Sequence, residues 1–140
     1  MKKLYVVFSI FAVLAMFGVT SNVHAQSTPV LYFCESYGND GEVGISDRFT
    51  TGYLTVMVKC ESALGLKNVT IQFDKYNVTT KTFEYYKKFT YVIEPTMKYV
   101  YFAKNSTSDM KFSDPGIYRV FLLDANGQTV TSSLIEVINQ

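Results

Sequence analysis

From Asn68 to Asp74 polar and apolar side chains alternate without a break, with Asn68, Thr70, Gln72 and Asp74 on one side and Val69, Ile71 and Phe73 on the other. Successive side chains of a strand leave opposite faces, so this spacing makes an extended segment with one dry face and one wet one. Patterning of that kind belongs to an antiparallel sheet.

Other segments repeat the theme. Pro29 to Ser36 is apolar on both faces, as expected of a strand buried on both sides or lying near an edge. Gly52 to Glu61 sets Leu54, Val56, Val58 and Cys60 against Tyr53, Thr55, Met57 and Lys59. The third strand runs from Asn68 to Tyr76, and Asn77 to Thr80 connects it to a long fourth, Thr82 to Ile93. There Lys87 falls on the face of Phe83, Tyr85, Phe89 and Tyr91, which predicts a bulge near Lys87 and Lys88. Met97 to Ala103, the segment from Asp114 to Asp124 and Gln128 to Ile138 complete a set of seven. The last two are joined through Asn126-Gly127, a strong hairpin signal.

Residues Met1 to Ala25 have the parts of a cleavable secretory signal peptide: Lys2 and Lys3, an apolar run from Leu4 to Val19, and a polar stretch ending in Val23-His24-Ala25. An uncleaved membrane anchor is the competing reading, because the run is nearly long enough to span a bilayer. The small residues at the cleavage position favour export, with a domain from 26 to 140. The expected destination is the periplasm, the cell surface or the medium of a bacterium, with no membrane span after cleavage.

Cleavage changes the chemistry left behind. The 13 basic residues become 11 against 12 acidic, so the formal charge moves from +1 to −1. A near-neutral domain lacks the basic face that nucleic acid requires. The only histidine, His24, also leaves, and with it any Ser-His or Cys-His nucleophile pair and the commonest nitrogen ligand of transition metals. The mature chain of about 115 residues suits one domain with one core.

Asp114-x-Gly116-x-Tyr118-x-Val120 resembles the immunoglobulin-type motif in which Asp, a small residue, Tyr and then Cys precede and open strand F. The resemblance implies an all-β, immunoglobulin-like or fibronectin-III-like sandwich of about seven antiparallel strands. It makes Tyr118 a corner residue that hydrogen-bonds upstream backbone. The chain departs from antibody domains in having no Trp and in placing Val120 at the cysteine position.

Four sets of residues are candidates for function. Cys34 and Cys60, the only cysteines, form either a disulfide, as an even count in an exported domain suggests, or two buried thiols. Asp40, Glu42 and Asp47 lie in the Gly-rich stretch from Tyr37 to Thr51, where flexible backbone and hard oxygen ligands would suit calcium. No other cofactor is expected. Tyr53, Tyr86 and Tyr99 are candidates for a sugar-stacking platform or a protein contact face. Asn68, Asn77 and Asn105 each begin an Asn-x-Thr sequon, meaningful only in a eukaryotic secretory pathway.

The expected function is that of an exported, non-catalytic interaction module that binds a protein partner or itself, with the free edges of the first and last strands as the contact. The alternatives are a polysaccharide-binding domain and a secretion or assembly domain, since the C-terminal pattern is also similar to sandwich domains that direct secretion of bacterial surface proteins. An enzyme pairing Glu42 or Asp47 with another acid would need a cleft between the two carboxyls.

Overall fold

A computed structural model describes residues 27–105 and 108–140. Residues 1–26, which include the expected signal peptide, and the last two residues of the third sequon lie outside them. The described chain is entirely strand, turn and connection: β1 (Val30–Cys34), β2 (Ser36–Gly38), β3 (Gly41–Val43), β4 (Arg48–Thr50), β5 (Gly52–Tyr53), β6 (Thr55–Lys59), β7 (Asn68–Asn77), β8 (Thr82–Val92), β9 (Tyr99–Phe102), β10 (Lys111–Phe112), β11 (Gly116–Leu123) and β12 (Thr129–Ile138).

Two layers enclose one core. The small sheet has the order β1-β6-β9 and continues through the pair β10-β5; the large sheet has the order β4-β12-β11-β7-β8. Leu31, Phe33, Val56, Val58 and Phe102 of the small sheet meet Val69, Ile71, Phe73, Val120, Leu122 and Ile135 of the large one, all buried. Each such side chain contributes about 1.5–3 kcal/mol on leaving water. Val69, Ile71 and Phe73 are the inward set that the alternation predicts.

The first strand changes sheets. β1 pairs antiparallel with β6, and after the short β2-β3 hairpin the chain reappears as β4, parallel to β12 in the other layer. With β1, β6 and β9 facing β12, β11, β7 and β8, this is an immunoglobulin-like sandwich. The segment from Tyr37 to Thr51, expected as an irregular loop, therefore holds a hairpin and an edge strand. The last strand is covered at its outer edge only in part: β4 pairs with Glu136, Val137 and Ile138, while residues 129–135 of β12 pair with β11 alone.

The long strand β8 bulges as Lys87 requires. Phe73 pairs with Lys87 and Asp74 with Tyr85, leaving Tyr86 as the extra residue. Lys87 stays on the inner side, its ammonium 5.3–5.7 Å from the ring centres of Phe73, Tyr86, Phe89 and Phe112. It donates to the carbonyls of Asp109 (3.2 Å) and Lys111. Desolvation lowers its pKa, and the surrounding π faces and carbonyls keep the cation tolerable.

Tyr118 is fully buried and its hydroxyl donates to the Asp114 carbonyl at 2.6 Å. Its ring meets Phe112 and Tyr86 edge-on, with centres 5.1 and 5.4 Å away. Gly116, between the two bonded residues, has a φ of +148°, a conformation that L side chains rarely adopt.

Cys34 and Cys60 are not joined; both thiols are free and buried. The register explains why the second of the two alternatives holds. Cys34 lies opposite Thr55 at one end of the β1-β6 ladder, and Cys60 comes five residues further along, about 17 Å away at strand rise. A disulfide requires Cα atoms within about 7 Å. Denatured without reductant, the protein is expected to titrate two thiols; a value of zero would overturn this register. Tyr118→Phe is expected to cost roughly 1 kcal/mol in urea unfolding, the worth of one buried hydrogen bond.

Candidate interaction face

The residues predicted as calcium ligands do not converge. Asp40 sits at the tip of the β2-β3 hairpin, Glu42 in β3, and Asp47 just before β4, where its carbonyl accepts from the Glu136 N–H at 2.8 Å. Among the described residues no three His, Cys, Asp or Glu side chains are grouped to hold a metal ion. The hairpin explains why. It turns Glu42 away from its acidic neighbours and onto the outer face of the small sheet.

There Glu42 accepts hydrogen bonds from the hydroxyls of Tyr32 and Tyr99. Tyr37 of the same hairpin stacks on Tyr101, with ring centres 4.5 Å apart, and tilts against Tyr99 at 5.8 Å. This clasp lies over the outward side chains of β1, β6 and β9, and Cys34, Thr55 and Met57 are buried on that face. It answers why the first strand is apolar on both sides: one side faces the core and the other the hairpin. The hydrogen bonds from Tyr32 and then Tyr99 hold the Glu42 carboxyl below the usual range. Burial and the bond to Glu42 push the Tyr32 hydroxyl up to about 12 and raise that of Tyr99 as well.

The three candidate tyrosines form no common platform. Tyr53 is half exposed, with Lys104 Nζ 4.3 Å above its ring and bonded to its hydroxyl at 3.0 Å. Tyr86 packs on Tyr118 and donates to Asp114 Oδ2 at 3.2 Å. Tyr99 belongs to the clasp. Each ring is held by its own neighbours, on three different strands.

A different surface gathers the groups suited to recognition. Strand alternation in β11 sends Tyr118, Val120 and Leu122 inward and Ile117, Arg119 and Phe121 outward. Pairing aligns Leu134, Arg119, Asp74 and Tyr85 in one row across β12, β11, β7 and β8. The Arg119 guanidinium lies 4.6 Å from the Phe83 ring centre and 4.8 Å from that of Phe121. Its Nη2 is 3.6 Å from Asp74 Oδ2, while its Nε is buried with no hydrogen-bond partner among the described residues. Around this centre Tyr85, Leu134 and Ile117 are 62%, 54% and 45% exposed. At the border Arg48 Nε pairs with Glu136 Oε2 at 2.6 Å, beside a groove of about 350 Å³ lined in part by Ile117 and Leu134.

Sequence reasoning did not single out this face, although a signal was present. The outward residues of Gly116 to Leu123 are as apolar as the inward ones, apart from one arginine.

The clasp generates a pH dependence. Glu42 titrates lower in the folded state than in the unfolded one, so its contribution is full above the unfolded value and is lost as pH falls through the folded one. Tyr32 and Tyr99 titrate higher when folded, so theirs is full below 10, the ordinary tyrosine value, and is lost as pH rises from there. Amide exchange of Glu35, whose N–H donates to Val43 O at 3.0 Å, reports on the hairpin. Corrected for the intrinsic rate, its protection should drop at both extremes, and Glu42→Gln should remove the acidic arm.

The sequence matches no family model, and no curated protein matches it. Among solved structures the chain is similar to an immunoglobulin-like protein from Pseudomonas aeruginosa, at 9% identity and a TM-score of 0.49, over 81% of this chain and 99% of that one.

Proposed function

We propose that this protein is an exported, non-catalytic interaction module that binds a polypeptide partner through the outer face of its large sheet. One observation carries the reading: Arg119, stacked between Phe83 and Phe121, keeps a buried Nε donor without a partner, inside a ring of exposed Leu134, Ile117 and Tyr85. Arginine held between aromatic rings and surrounded by apolar side chains has the composition of an interface centre. The stacked guanidinium is already ordered, so little entropy is lost when a partner docks.

Charge on the face selects the occupant. Arg119 is next to Asp74 and Arg48 is paired with Glu136, so the surface is close to electrically balanced. A polypeptide surface that is mainly apolar and offers one carbonyl or carboxylate to Arg119 matches it, whereas a polyanion finds no field to follow. Export rests on the signal peptide. The non-catalytic role rests on the loss of the only histidine and on acidic side chains that are not gathered in one cleft among the described residues. No helix among the described residues is long and apolar enough to cross a membrane.

A photo-crosslinking residue at Tyr85, with Thr80 as an exposed control, tests the face in cells that make the protein. A discrete polypeptide adduct is expected at Tyr85 alone. Arg119→Ala and Leu134→Asp should each reduce its yield by about tenfold or more, the loss expected at an interface centre, and Leu134→Asp should leave the melting temperature unchanged because the side chain is exposed. Equal adducts at both positions, or yields unaffected by the substitutions, would sink the proposal.

A further inference from the structure

On one side of the sandwich both sheets end in strands that meet no further described strand: β8 closes the large sheet and β9 the small one. Hydrogen bonds fix which backbone groups are left over. Ile93 N–H donates to Lys67 O at 2.8 Å, so by ladder alternation Tyr91 and Phe89 turn their backbones to β7 while Val92, Thr90 and Lys88 turn theirs away. Cys60 N–H donates to Lys98 O at 2.8 Å, so Val100 and Phe102 face β6. Tyr99 and Tyr101 therefore present their backbone N–H and C=O groups to the open side.

Between these two rims runs a groove of about 240 Å³ whose lining, which includes Val92, Ile93, Met97, Tyr101 and Phe102, carries no charged residue. Val92 is 71% and Tyr101 51% exposed. Five strands stand over three at this level, and Phe89 and Tyr91 on the inner side of β8 are only half buried. The electrostatics define what fits. The rims carry alternating backbone donors and acceptors and the floor is neutral. A charged group would find no counter-charge, and a small apolar molecule would leave the rims unanswered. An extended peptide satisfies both, with backbone dipoles for the rim and apolar side chains at every second position for the floor.

We infer that this side of the molecule is a second binding site, independent of the Arg119 face, that takes an extended polypeptide strand added to β9 at Tyr99 and Tyr101. The two rims are not equivalent. β8 carries exposed Lys88 and the bulge at Tyr86, both of which hinder pairing along an edge. The four residues of β9 carry neither. Added there, a strand of similar length would make the small sheet four-stranded and lie against Met97.

The probe is a capped heptapeptide of alternating Val and Thr, with the same peptide carrying Pro at its centre as control, titrated into the 15N-labelled protein. The amide signals of Tyr99 and Tyr101 are expected to shift, and at a peptide concentration about ten times Kd their exchange should slow about tenfold. Tyr101→Pro removes a donor that points away from β6 and is tolerated on an edge; it should abolish binding while the Val58 and Val100 amides keep their protection. Met97→Glu, which leaves every backbone group in place, should weaken binding by placing a charge in the groove. Shifts confined to Lys88, Thr90 and Val92, equal response to the Pro-containing control, or no shift at millimolar peptide would overturn the inference. None of these outcomes bears on crosslinking at Tyr85.

Discussion

The hydroxyl of Tyr118, bonded to the carbonyl of Asp114, is the pin on which the large sheet is set. It fixes where β11 begins, and β11 is the strand paired on both sides, with β12 and with β7. A slip of one residue would exchange its two faces. Val120 and Leu122 would then leave the core, and Arg119 would enter it without the Phe83 and Phe121 rings that now flank it. The bond reinforces a register that pairing with β7 and β12 also holds, so inner packing and outer surface are set together, and Gly116 supplies the positive φ of +148° at the start of the strand.

The second layer is built on a different plan. With fewer strands, the small sheet closes its outer face by folding a hairpin back over it. The anchoring carboxylate is Glu42, and Met57 and Cys34 lie dry beneath. One face of the sandwich is therefore partly covered by its own chain, while the opposite face displays Leu134, Ile117 and Tyr85 to solvent with no segment folded over it.

What could be read in the sequence was whatever local periodicity controls. The alternation from Asn68 to Asp74, the disruption at Lys87 and the Asp114 to Val120 motif each depend on neighbours within a few residues, and they describe the fold class and the position of the bulge. What escaped depends on partners far along the chain. β2, β3, β4 and β10 are two or three residues long, too short for any period to show, and β4 is a strand only because β12 lies beside it. Glu42 looked like a calcium ligand because its acidic neighbours are close in sequence; the tyrosines that claim it, Tyr32 and Tyr99, come from two other strands. Cys34 and Cys60 suggested a bond by their number, whereas ladder register decides their separation. Arg119 was hidden for the opposite reason: its flanking apolar residues read as core, and only sheet pairing shows which of them face out.

The parallel pairing of β4 with β12 joins residues 48–50 to residues 136–138. Its contacts are among the most distant in sequence that the fold makes, and such loops are closed late because their entropy must be overcome before any contact rewards it. Until the C-terminal strand is available, β4 has no partner and the switch of the first strand between layers is incomplete. The edge of the large sheet thus takes its form only with residues 136–138 in place, and removing the C-terminal strand would set β4 adrift along with β12.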